Sequence, residues 1–167
     1  MGGRGIGALA AGALFALVLP AVAAAAPRDS AVGSGLNRIG RVSFAAHGGP
    51  SPFEPVTGHF TAKGQLAELG GTAVGPFHFE GPVTCLTVSG NKAGLFYPLK
   101  NADPPEFEGQ DIFITLEDNG NPASGDPPDR GGFLGPVPAP ENPVLCPPGL
   151  VEPLDVLKGN ITIRDAP

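Results

Sequence analysis

Apolar and polar positions alternate with a period of two along much of the chain after residue 36. In Thr57-Gly58-His59-Phe60-Thr61-Ala62-Lys63, one face takes Gly58, Phe60 and Ala62 and the other takes Thr57, His59, Thr61 and Lys63. That is the pattern of an antiparallel strand with one buried and one wet face. Phe77-His78-Phe79-Glu80 and Asn160-Ile161-Thr162-Ile163-Arg164 repeat it, with Phe or Ile inward and His, Glu, Asn, Thr and Arg outward. Residues 39–46, 83–89, 93–99 and 111–118 have strand composition without clean alternation, as expected of strands buried in part on both sides. Gly90-Asn91 lies between two of these runs and predicts a tight hairpin.

The intervening segments are rich in turn formers. The 26 Gly and 21 Pro among 167 residues suit a fold of short strands and many turns, while 41% hydrophobic content is too much for a disordered chain. Residues 46–55, 119–132 and 136–149 read as long Pro-rich connections, and residues 64–70 as one helical turn or a further strand. Seven to nine short strands therefore predict one all-β domain, an antiparallel β-sandwich or a small β-barrel, over residues 37–167. Residues 27–36, polar and Gly-containing, read as a flexible lead-in.

The N-terminus differs in kind. A cationic start with Arg4, an apolar run over residues 6–22 and the small residues Ala21-Val22-Ala23-Ala24-Ala25-Ala26 read as a secretory signal peptide over residues 1–26, with cleavage expected after Ala23 to Ala25. The mature protein then keeps no stable membrane span. About 140 residues remain, enough for one domain. In an oxidising compartment, the two cysteines, Cys85 and Cys146, are expected to pair as a disulfide that ties a Pro-rich loop to a strand. A net charge of −6 repels phosphate backbones, and the basic residues form no stripe in the sequence, so no nucleic-acid partner is expected.

Five segments follow one another along the chain: Val42-Ser43-Phe44-Ala45-Ala46-His47-Gly48-Gly49-Pro50-Ser51, then Pro55-Val56-Thr57-Gly58-His59-Phe60, then Gly81-Pro82-Val83-Thr84-Cys85-Leu86-Thr87-Val88-Ser89-Gly90-Asn91-Lys92-Ala93, then Asp118-Asn119-Gly120, and last Gly159-Asn160-Ile161-Thr162-Ile163-Arg164-Asp165-Ala166. Together they resemble a family of small secreted bacterial proteins of unknown function marked by a Val-Thr-Cys-Leu-x-Val-x-Gly-Asn-x-Ala segment. The chain departs from that pattern at His47-Gly48-Gly49-Pro50, where a Ser is more usual after the His, and in its extended Pro-rich stretch over residues 136–148. The resemblance implies secretion and an all-β fold and assigns no activity.

Candidate chemistry is sparse. Alternation puts His59, His78 and Glu80 on wet strand faces, where paired strands could assemble them into a polar surface site for a metal or an acid–base set. Asp118, Asn119, Asp126 and Asp129 crowd hard oxygen ligands into one turn-rich loop, as a Ca²⁺ site would require, but their spacing fails the EF-hand pattern and suits ordinary turns. No nucleophile motif is present, and Glu106, Glu108, Asp111 and Glu117 supply carboxylates without a spacing that defines a mechanism. Phe53, Phe77, Phe96, Phe107 and Phe133 lie beside turns, either plugging the core or presenting an apolar binding surface.

These observations lead to a secreted, cofactor-free, non-enzymatic module that binds or structures an extracellular or cell-envelope ligand. Two rivals are a secreted hydrolase or cyclase-like barrel and a Ca²⁺-stabilised adhesion module. A cavity separates the first rival from a binding module: an enzyme needs at least two titratable groups in one concave site, a binding module a filled core and an open surface.

Overall fold

The computed structural model describes residues 27–38, 40–48, 54–66, 75–139 and 145–167. The expected signal segment, Phe53, the 67–74 connection and part of the 136–149 connection lie outside these residues. Eleven strands run in the order β1 (Asp29–Leu36), β2 (Gly40–Gly48), β3 (Thr57–Leu66), β4 (Gly75–Pro82), β5 (Cys85–Ser89), β6 (Lys92–Pro98), β7 (Asn101–Asp103), β8 (Asp111–Glu117), β9 (Arg130–Val137), β10 (Leu154–Asp155) and β11 (Lys158–Arg164). Two single 3₁₀ turns, Pro105–Phe107 and Pro122–Ser124, interrupt the loops.

The strands form two antiparallel sheets. Sheet A has the order β11-β1-β2-β3-β4-β7 and sheet B the order β10-β9-β8-β6-β5. Both keep free edges, so the fold is a sandwich and the barrel alternative falls. Phe44, Phe60, Phe77 and Phe79 from sheet A meet Leu95, Tyr97, Ile112, Ile114 and Leu116 from sheet B in one core. Phe60 stacks on Tyr97 across the interface with ring centroids 4.3 Å apart, a geometry that adds to the apolar burial. The expected hairpin is present, with Gly90 at φ 59° between β5 and β6.

The number of strands exceeds the expected seven to nine because two segments with weak apolar signals, β1 and β9, and two short strands, β7 and β10, are paired. Residues 29–36, expected as a flexible lead-in, form β1 in the interior of sheet A, between β11 and β2. Its inward positions are Asp29, Ala31, Gly33 and Gly35, while Val32 and Leu36 point to solvent. Residues 130–137, expected to be largely loop, form β9, where Gly131 and Gly132 dilute the pattern.

The disulfide between Cys85 and Cys146 is formed, with 61 residues separating the two cysteines. It fastens a strap, residues 145–153, over the outer face of sheet B. Thr87, Gly94, Thr115 and Gly132 align in one row across β5, β6, β8 and β9. The strap lies in this row: Thr87 Oγ1 is 3.6 Å from Cys146 Sγ, and the Val151 N–H donates to Thr115 Oγ1 at 3.2 Å. A side chain at Gly94 would collide with the Cys146 carbonyl, and one at Gly132 would lie 2.8 Å from that of Glu152. Both glycines are required by the close approach of the strap backbone.

Candidate functional site

Among the described residues the outer face of sheet A, unlike that of sheet B, carries no strap. Register orders its side chains into rows that run across the strands. Asn160, Ser34, Ser43, Thr61, Glu80 and Asn101 make one row, and Thr162, Val32, Ala45, His59 and Pro82 the next. Most of these side chains are short. Longer ones stand on either side: Lys158, Leu36, Arg41, Lys63 and His78 along one flank, Arg164 and His47 along the other. The result is a trough of about 580 Å³ that includes Val32, Ser34, Ser43, Ala45, His59 and Thr61 in its lining. That volume is within the range of small-ligand sites, roughly 300–1,000 Å³.

His59, His78 and Glu80 come together at one side of this trough. β3 and β4 pair so that Glu80 sits opposite Thr61 and His78 opposite Lys63. Glu80 then lies between the imidazoles: His59 Nε2 is 3.7 Å from Oε1 and His78 Nε2 is 3.6 Å from Oε2. The three groups form a polar cluster on a flat face, not the floor of an enclosed pocket. Among the described residues no group of three or more His, Cys, Asp or Glu side chains is arranged to hold a metal ion.

The acidic loop has its oxygens directed at backbone amides. Asp118 accepts from the N–H groups of Gly120 and Ile163, Asp129 from those of Asn119 and Ile161, and Asp126 from Asn121. Asn119 donates to the Pro128 carbonyl and accepts from Asn91. Asp129 is 2% exposed. These side chains close the 118–129 loop and fasten it to β11, the work of turn and cap residues.

The remaining candidates disperse. Glu106 and Glu108 are exposed around a 3₁₀ turn, and Asp111 and Glu117 sit at opposite ends of β8. Six residues of strand place the latter two about 20 Å apart, beyond the roughly 5–9.5 Å of a glycosidase pair. Burial pushes the Asp111 carboxyl up, offset in part by Lys100. Lys92 at 2.6 Å, aided by Arg130 at 3.4 Å, holds the Glu117 carboxyl below its ordinary value against the effect of burial. Phe77 is buried, and Phe107 and Phe133 pack on the core. Phe96 instead pairs with Phe113 on the outer face of sheet B, centroids 4.8 Å apart. An apolar crevice between the sheets, lined in part by Phe60, Ile114, Leu116 and Val156, has room for about 20 Å³ and no titratable side chain in its lining. That is the space of about one water.

One feature of the trough had no signal in the linear sequence. Arg41, Lys63 and Lys158 are far apart along the chain, yet register puts them in a single row, with Leu36 between Lys158 and Arg41. Comparison with known proteins finds no matching family model, no curated relative and no matching solved structure.

Proposed function

We propose that this protein is a secreted, non-enzymatic binding module of the extracellular space or cell envelope, and that it engages its ligand through the outer face of sheet A. The observation that carries this reading is the contrast between the two kinds of space in the molecule. Among the described residues the interior is filled down to an apolar crevice, whereas an open trough with the hydroxyls of Ser34, Ser43 and Thr61 in its lining crosses sheet A. A signal-type N-terminus and a disulfide fit export to an oxidising compartment.

The reading is tested by thermal shift of the mature domain against soluble oligosaccharides, peptidoglycan fragments and small lipids, with Ala45→Tyr as the control. Ala45 is exposed at the centre of the trough, so a tyrosine there fills the floor without entering the core. The expected result is a rise in Tm with one ligand class that Ala45→Tyr abolishes while its own unliganded Tm stays put, because a ligand of the native state raises stability. No rise with any probe, or a rise that Ala45→Tyr leaves intact, overturns it.

A further inference from the structure

We propose that the trough takes an acidic polysaccharide, a glycan chain carrying carboxylates at intervals, an inference that rests on the binding reading above. Arg41, Lys63 and Lys158 pair with the carboxylates, and the hydroxyls of Ser34, Ser43 and Thr61 bond those of the sugar.

The charges point to this occupant. Arg41 lies directly opposite Lys63 on the neighbouring strand, and Lys158 is two strands from Arg41 in the same row. Like charges directly opposite in a sheet are destabilising. On sheet B, by contrast, Lys92 pairs with Glu117, and Arg130 with Glu117, Glu152 and Asp155. Among the described residues Arg41, Lys63 and Lys158 make no ion pair within 4.0 Å. Of the carboxylates on this face, Glu80 is flanked by the two imidazoles, and Asp103 closes the far end of the row beyond His78. A row of unneutralised cations on a protein of net charge −6 is complementary to an anion supplied from outside.

The spacing and lining select the kind of anion. Three cations spread over about 15 Å of sheet form a dilute array, matched to a polymer with occasional charges rather than to duplex DNA with one per roughly 1.7 Å. Among the described residues the trough presents no exposed Phe, Tyr or Trp ring on which bases could stack, since Phe44 beneath its floor is 3% exposed. Its hydroxyls both donate and accept, as sugar hydroxyls do, and among the described residues no group engages those of Ser34, Ser43 and Thr61. The trough also crosses the strands of an open sheet, so a chain can pass through it.

The test measures affinity of the mature protein for an oligo-uronate, the same oligomer with its carboxyls reduced to alcohols, a duplex DNA oligonucleotide and phosphatidylglycerol-containing vesicles. The oligo-uronate is expected to bind tightest, and to weaken about tenfold in R41Q/K63Q, as loss of two exposed charge pairs implies. R41K/K63R restores most of it, and Ala45→Tyr abolishes it. Equal binding of the reduced oligomer, lost in Ala45→Tyr but indifferent to R41Q/K63Q, overturns the acidic-glycan inference and leaves the binding face standing. No uronate binding, or tighter binding of DNA or vesicles, overturns the inference as well. Uronate binding untouched by Ala45→Tyr overturns the binding face itself.

Discussion

The carboxylate of Asp129, in the loop between β8 and β9 of sheet B, accepts the backbone N–H of Ile161 in β11 of sheet A at 2.6 Å. Asp118 does the same for Ile163 at 2.9 Å. β11 is an edge strand, and these two amides face away from β1, where a further strand would otherwise pair with them. Two side chains from the opposite sheet take the place of that strand and cap the edge against pairing with another chain.

Asp129→Ala is therefore expected to destabilise the fold by about 2–3 kcal/mol, because it strips the partners from the Asn119 and Ile161 amides at a buried site. Urea denaturation measures the loss, and hydrogen exchange should show the Ile161 amide losing protection. Millimolar calcium is expected to leave the wild-type Tm unchanged, since the loop carboxylates already serve backbone donors; a rise of several degrees would show that the loop rearranges around the ion.

The strap makes a second prediction. The double variant Cys85→Ser/Cys146→Ser should be less stable than wild type by about 4 kcal/mol, the loop-closure entropy expected for a bridge at a sequence separation of 61. Gly94→Ala attacks the same contact from below, since its methyl runs into the Cys146 carbonyl. It should lower Tm and speed reduction of the disulfide by dithiothreitol, whereas alanine at exposed Gly109, where nothing lies near, should not speed reduction.

Much of sheet A was readable from alternation alone: His59, His78 and Glu80 fall on one face because period two fixes the side and pairing of adjacent strands does the rest. β1 escaped because close packing demands small residues on its inner face. A side chain at Gly33 would strike the Asn160 carbonyl, so the strand's large apolar groups, Val32 and Leu36, lie outside and reverse the usual signal. β9 was hidden in the same way by Gly132 beneath the strap. The cation row was invisible for another reason: Arg41, Lys63 and Lys158 meet only through the register of β2, β3, β1 and β11, which no local pattern encodes.

Acid should act through Glu117. Its folded-state carboxyl is held below the unfolded value, so its contribution is complete above the unfolded pKa of about 4.3 and is lost as pH falls through the lowered folded value. Asp111 works in the opposite sense: its raised carboxyl makes ionisation costly to the fold, a cost relieved on acidification. Glu117→Gln should accordingly reduce stability at pH 7 by about 1 kcal/mol and narrow its gap to wild type by pH 3, measured by urea titration at both values.

Tyr97 offers a gain. Its ring is fully buried against Phe60, while its hydroxyl makes no hydrogen bond among the described residues and burial pushes its pKa well up. Tyr97→Phe keeps the stacked ring and removes an unsatisfied polar group, so stability should hold or rise by up to about 1 kcal/mol in thermal and urea melts. A loss of that size would reveal a partner for the hydroxyl.

The antiparallel pairing of β1 with β11 has a mechanical consequence. Ser30 lies opposite Arg164, and the Asp29 carboxylate accepts the Ala166 N–H at 2.8 Å, so residues 29 and 166 leave the domain side by side. Tension applied between them would break that clasp and then unzip the two strands one rung at a time, a geometry that yields at low load. A pull transmitted from one of these ends to a ligand spread across sheet A would instead be shared among several strands at once. Such a domain holds best when anchored by one end alone.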